Sequence, residues 1–195
     1  MYVFLLGVLP FALGAYVFYN TSRAVAETPA YKVIRTDKKF EIRDYPALTV
    51  ATTPIGGGRQ GKSAGFSTLF HFITGSNERA EKINMTTPVL IGTSQDKRTM
   101  NFIMPKTAVE KGVPKAVGEN VTLGEVSAAR YAVLSFSGSH KTKNEKAAID
   151  KLKEWMDTQK LTGLGDPLIA YYDPPWMPVF LRRNEVLIRI GDAQR

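Results

Sequence analysis

The order strand, strand, helix, strand, strand occurs twice in this chain, and that doubling constrains the fold more than any single motif. Residues 40–45 alternate apolar and polar side chains, the period of a half-buried strand, and residues 48–55 read as another strand. A helical stretch follows, then strands at 87–92 and 99–104. The second round has strands at 121–126 and 131–136, a helix at 141–160, and strands at 168–172 and 185–190. Residues 31–35 add a strand ahead of the first round, with the turn at 36–39 between. Two copies are too few, and the period too long, for a solenoid. They predict an α+β domain: two pseudo-twofold ββαββ halves whose strands form a distorted β-barrel or curved sheet, with two flanking helices. Such a pair of halves leaves a groove, where a ligand commonly sits.

Both helices read as amphipathic. In the second, Ile149, Leu152, Trp155 and Met156 point inward, with lysines and acids outward. In the first, Phe66, Leu69, Phe70 and Ile73 fall at i, i+3, i+4 and i+7, so they are the expected buried face. At about 100° per residue, His71 points roughly opposite. Ala64, Thr68 and Gly75 stand beside it at i−7, i−3 and i+4, and all three are small. A flat strip of small residues around one imidazole has room for a planar ligand. Met85 and Met104 sit in apolar strands and read as core. Trp176, in a proline-rich corner, reads as packed, and His140, ahead of the second helix, as a surface or capping residue. Arg182, Arg183 and Glu185 beside Asp173 suggest an ion-pair cluster that locks the final strands.

The run Gly56-Gly57-Gly58 before a helix invites a phosphate-loop reading, but it lacks a Gly-Lys-Ser/Thr ending at the right spacing. It reads as a strand-to-helix loop. The chain has no cysteine. That excludes disulfides, thiolate metal sites, covalent c-type haem attachment and cysteine nucleophiles. The net charge of +8 is spread along the chain, with no basic stripe interleaved with aromatics. Nucleic-acid binding is therefore not expected, while an anionic ligand would be helped.

Residues 1–26 read as a hydrophobic leader, and residues 27–195 as the folded domain. Residues 2–19 are uncharged, apolar and of about the length that spans a bilayer. Ala24-Val25-Ala26 before Glu27 looks like a signal-peptidase site, which would release an exported, periplasmic domain. No Lys or Arg precedes the run, and the run is long for a signal peptide. Left uncut, it would be a membrane anchor, and the basic residues after it would tend to hold the domain on the cytoplasmic side. Both readings stay open.

The chain also carries a series of short motifs: Phe40-Glu41-Ile42-Arg43-x-Tyr45, Gly65-Phe66-x-x-Leu69-Phe70, Ile73-x-Gly75-x-Asn77, and Met85-Thr86-x-Pro88-Val89. Phe102-x-Met104-Pro105, Phe136-Ser137-Gly138, Tyr172-Asp173-Pro174-Pro175-Trp176 and Arg182-Arg183-Asn184-Glu185-Val186 complete it. In this order, over residues 31–191, the chain resembles the SOUL haem-binding protein family. The resemblance implies a distorted barrel of strands flanked by two helices, which agrees with the doubled order above. It also implies reversible, noncovalent binding of haem or another tetrapyrrole, for transport, buffering or sensing.

Some family members look as if they hold iron through a histidine just after the Glu-Ile-Arg-x-Tyr motif, where this chain has Pro46. Others use an apolar surface on the first helix with basic residues nearby. His71 stands on that helix and is the expected axial iron ligand, since neutral imidazole ligates haem iron well. Ala64, Thr68 and Gly75 would lie under the macrocycle. Arg59, Lys62 and Arg79 flank the helix and could pair with propionates. Two other functions compete. One is an enzyme of tetrapyrrole metabolism, such as metal removal, although no Ser-His-Asp set or paired carboxylate motif supports catalysis. The other is an effector-binding or protein-interaction domain that uses the same groove without haem.

Overall fold

The computed structural model describes residues 26–94, 97–174 and 176–191. The hydrophobic leader lies, but for Ala26, outside the described residues, as does Pro175 of the proline-rich corner. No helix among the described residues is long and apolar enough to cross a membrane.

The described residues form an α+β domain. Its strands are β1 (Lys32–Asp37), β2 (Phe40–Tyr45), β3 (Leu48–Pro54), β4 (Val89–Gly92), β5 (Thr99–Ile103), β6 (Thr122–Val126), β7 (Ala129–Phe136), β8 (Gly163–Tyr171) and β9 (Asn184–Ile190). The helices are α1 (Gly58–Ile73), α2 (Lys106–Glu110) and α3 (Thr142–Thr158). All strands join one antiparallel sheet in the order β1-β2-β7-β9-β8-β4-β5-β3-β6. Its edges are β1 and β6, so it is a curved sheet and not a closed barrel.

Two elements differ from the sequence reading. β8 starts five residues earlier than expected, because its first part carries a register shift between Leu164 and Leu168. Gly165 takes a positive φ of 74° there, and Pro167 follows it, so the strand looks like a turn in sequence. The short helix α2 follows directly on Pro105, which caps it from an extended conformation with a ψ of 150°.

The strands alternate their side chains between two faces. Leu134 joins the core under the helices, while its neighbour Val133 faces the other way. The helix-side core gathers Leu69, Phe72 and Ile73 of α1, Leu152, Trp155 and Met156 of α3, and Ile91, Phe102 and Ile169 of the sheet. Burying Leu69 and Phe72 stabilises the fold by roughly 1.5–3 kcal/mol each. The opposite face holds Tyr45, Leu90, Tyr131, Val133 and Leu187, and its cluster contains no helix residue. Met85 and Met104 pack in the helix-side core as expected.

Candidate functional site

α1 does not bury the face that its large apolar residues suggest. Its buried residues are Gly65, Leu69, Phe72 and Ile73. Phe66 and Phe70 instead remain 40% and 44% exposed. Gly65 supplies the reason. A Cβ there would come within 2.2 Å of the Ile55 side chain, so the helix makes a close approach along its glycine side. That rotation turns Phe72 in and leaves Phe66 and Phe70 on the flank. Their rings stack 5.8 Å apart, and the Phe66 ring meets the buried Phe102 edge-on at 5.3 Å. Residues 59, 63, 66 and 70 recur at helical spacing. Arg59 therefore heads an exposed ridge that continues through Phe66 and Phe70.

His71 is exposed on the far side of the helix from Gly65 and Leu69. Its ring makes no hydrogen bond or ion pair among the described residues. Its carbonyl accepts from the Ser76 amide at 2.9 Å, closing the end of the helix. Ala64 is exposed beside it, and Thr68 is half-buried with its hydroxyl donating to the Ala64 carbonyl at 3.1 Å. Gly75 is not part of this strip. The helix ends at Ile73, and Gly75 turns away with a φ of 122°.

The three expected cations separate. Arg59 is exposed on the first turn of α1, about 18 Å along the axis from His71 at 1.5 Å per residue. Arg79 forms an ion pair with Glu81 at 3.1 Å and donates to the Gly112 carbonyl. Lys62 is a correction: it points inward, with a side chain only 12% exposed, and forms an ion pair with the Glu145 carboxylate. It also donates to the His140 carbonyl at 2.9 Å and to the Tyr171 hydroxyl at 3.2 Å. Lysine usually keeps its charged head in water, but here the buried Glu145 carboxylate draws it inward.

That cluster was not visible in the sequence. Glu145 lies on the inner face of α3 among apolar residues and is 3% exposed. Arg98 donates to it at 3.0 Å, and the Tyr171 hydroxyl donates to it as well. Burial alone would raise the Glu145 carboxyl, but the hydrogen bonds from Lys62, Tyr171 and Arg98 outweigh this and hold it below its ordinary range. Burial and the Glu145 carboxylate push Tyr171 up. His140 is no surface residue either. Its ring stacks on Tyr171 at 3.8 Å, and its Nε2 is buried without a hydrogen-bond partner. Burial, then the charges of Arg182 and Lys62, lower its pKa to about 4.

The helix-free face carries a second polar cluster around Glu185, which is fully buried. Arg43 donates to both carboxylate oxygens, at 2.8 and 3.1 Å. Arg183 and the Tyr172 hydroxyl each add a bond at 2.8 Å. Asp173 accepts from the Arg183 amide at 2.5 Å. The expected cluster at the final strands therefore exists, and its principal partner is Arg43 of the Glu-Ile-Arg-x-Tyr motif. An apolar recess lies beside it, lined by Tyr45, Tyr131, Tyr172, Leu90, Ile103 and Leu187.

The residues fit a haem in kind: an accessible imidazole, small neighbours, exposed aromatic rings and one surface arginine on a single helix. Among the described residues no group of three or more His, Cys, Asp or Glu could hold a bare metal ion.

The SOUL heme-binding protein family model matches residues 26–189 of the chain. No curated protein matches it significantly. Among solved structures, the EcmrR C-terminal domain is similar, with a TM-score of 0.60 at 10% identity, covering 84% of this chain and 99% of that one. EcmrR in a complex with DNA gives 0.60 at 11% identity, covering 93% of this chain and 65% of that one. A hydrolase from Listeria innocua gives 0.54 at 10% identity, covering 81% of this chain and 94% of that one. At these identities the likeness is one of fold alone.

Proposed function

The chain belongs to the SOUL haem-binding protein family, and from that premise we propose that it binds haem or a related tetrapyrrole reversibly and without a covalent link, for transport, buffering or sensing. The ligand would lie on the solvent side of α1, with His71 on the iron. The observation that carries this is the exposed His71 imidazole, whose ring has no hydrogen-bond or ion-pair partner among the described residues and stands beside Ala64 and Thr68. A neutral imidazole in that setting has a lone pair to give to iron. Bound haem would supply ligand exchange and redox chemistry at its iron. The chain's part is to hold the macrocycle edge-free of bulky groups and to offer a cation to its propionates. Lys62 is committed to Glu145 and Arg79 to Glu81, so Arg59 is the expected cation that keeps that role here.

One observation favours a second pose. The stacked pair Phe66–Phe70 is an exposed apolar surface on the same helix. Successive residues do not share a helix face, so a macrocycle lying flat on these rings would not be centred on His71. In that pose Arg59 would meet the propionates and the iron would lack a ligand from α1.

The strand order supports a pseudo-twofold reading of the domain. Exchanging β2 with β6, β3 with β7, β4 with β8 and β5 with β9 reverses the order from β2 to β6. The two halves would then meet at the β8–β4 pair, each lending an outer strand to the other. We also propose that residues 1–26 are a leader, cleaved or anchoring, ahead of a tetrapyrrole-binding domain at 27–195.

Titration of the full chain with hemin tests the function. Micromolar hemin should give a shifted Soret band, and no shift would reject haem binding. His71→Ala should move the band and change the spin state. If the spectrum is unchanged while Phe66→Ala with Phe70→Ala abolishes binding, the second pose is correct.

A further inference from the structure

We propose that the loop between β8 and β9 is a membrane-interface contact that seats this end of the domain on an anionic lipid bilayer. Within six residues it exposes Trp176 at 78%, Val179 at 45%, Phe180 at 76% and Leu181 at 44%. Trp176 is therefore not the packed corner that its proline neighbours suggest. Scattered exposed apolar residues are ordinary, but two aromatics and two aliphatics in one short segment form a patch.

The loop is built to hold that patch in place. Asp173 accepts from the Arg183 amide at 2.5 Å, and the Met177 amide bonds the Pro174 carbonyl at 3.0 Å. The Arg182 guanidinium holds the Met177 carbonyl at 2.8 Å, and a turn of 3₁₀ helix spans Val179–Leu181.

Where the loop sits identifies its partner. It leaves the sheet where Tyr171 pairs with Asn184, and Tyr171 also pairs with Val89 at the start of β4. Glu27 joins the fold at the same end: it bridges Thr86, and its carboxylate accepts from the Lys106 amide at 3.0 Å. The described chain therefore begins on the side that carries the loop, and the uncharged apolar run at residues 2–19 precedes it in sequence. The seven residues between, 20–26, reach at most ~25 Å. If that run enters a bilayer, the loop is close to the bilayer surface.

The charges agree. Lys106 follows β5 at this end and is 82% exposed. Lys141 and Lys143 follow β7, whose Phe136 pairs with Asn184, and both are exposed. Glu27 and Asp173 accept from backbone amides and keep their charge, and Glu110 pairs with Lys106 at 3.7 Å, so the exposed Lys141 and Lys143 are the cations here that no carboxylate faces among the described residues. Exposed tryptophan and phenylalanine between lysines suit the headgroup layer of an anionic leaflet. A second copy of this chain, itself carrying +8, would face repulsion there. This inference does not depend on tetrapyrrole binding.

The test uses the haem-free full chain reconstituted in vesicles of phosphatidylcholine and phosphatidylserine, with and without brominated acyl chains. The chain has two tryptophans, and Trp155 is only 8% exposed. Brominated lipid should quench the Trp176 share of the emission, and Trp176→Phe should remove that loss. Lys106→Glu with Lys141→Glu should weaken the quenching in anionic vesicles. Emission from Trp176 that brominated lipid does not touch overturns the proposal. So does a Trp176 shielded from aqueous acrylamide without lipid quenching, because a protein surface then covers the loop. Equal quenching in pure phosphatidylcholine overturns the anionic requirement.

Discussion

Arg43 and Glu185, 142 residues apart in the chain, face each other as a two-pronged ion pair with both side chains buried. The Arg43 guanidinium also donates to Glu41 at 2.6 Å and lies 4.3 Å above the Tyr31 ring. Burial alone would push the Glu185 carboxyl up, but Arg43 and then Arg183 outweigh it and hold the carboxyl below its ordinary range. A bond between β2 and β9 across β7 ties the first strands to the last.

Removing one member of a buried pair leaves a charge without a counter-ion, which costs ~3–5 kcal/mol. Arg43→Met should therefore lower stability by about 3 kcal/mol, the low end, since Arg183 still faces Glu185. Urea unfolding checks this. Arg43→Met combined with Glu185→Leu should be less unstable than the sum of the two single changes. An additive result would mean that the pair is not coupled.

Lys62 separates a structural cation from a ligand-binding one. Lys62→Met leaves Glu145 with Arg98 and Tyr171 and should cost about 2–4 kcal/mol. Arg59→Gln, on an exposed turn, should stay within about 0.5 kcal/mol of the parent. With hemin bound, the order should reverse: Arg59→Gln weakens affinity, whereas Lys62→Met leaves it near the parent's in whatever protein is folded. Thermal melts and hemin titrations on both variants make the comparison.

His140 should make stability fall between pH 6.5 and about 4. Its folded pKa is depressed, so across that window the unfolded chain takes up a proton that the native ring does not. The unfolded state therefore gains as pH falls, and the penalty is complete below the folded pKa. A full shift of that size is worth up to ~3 kcal/mol, less with solvent screening of a half-buried ring. His140→Phe keeps an aromatic ring on Tyr171 and should flatten the slope in this window. Glu145 and Glu185, with depressed pKa values, contribute stability that is present above their ordinary range and lost below it. Their losses come at more acid pH and survive the substitution.

Gly61 lies where α1 passes closest to the preceding loop. A Cβ there would sit 2.2 Å from the Gly56 carbonyl oxygen and 2.4 Å from its carbon. Alanine usually helps a helix by ~1 kcal/mol over glycine, yet Gly61→Ala should destabilise by about 1–3 kcal/mol because backbone must move. Gly124→Ala in β6 meets nothing within 4 Å and serves as the control. Denaturant midpoints for the two variants should move apart.

The glycine run before α1 is thus packed at one point, Gly56 against Gly61, while a Cβ at Gly57 or Gly58 would meet nothing within 4 Å; sequence offered a plain loop or a phosphate cradle. It was legible as a strand-to-helix connection but not as a contact. The same holds for α1 itself. Counting large apolar residues placed Phe66 and Phe70 inside, whereas Gly65 brings the helix close to Ile55 and rotates them out. A residue with no side chain carries no signal in a hydrophobic pattern.

What the sequence determined by itself was the succession of elements. Alternation at period two and apolar spacing at 3.6 are local properties, and the strands and long helices follow them closely. The family motifs were legible for the same reason. Tertiary structure decided the rest. Whether Lys62 faces solvent depends on Glu145, 83 residues away, and whether Arg43 is buried depends on Glu185. A charged side chain goes inside only where a distant part of the chain supplies its counter-charge. No local pattern encodes that meeting, because it exists only once the sheet has brought β2, β8, β9 and the two long helices together.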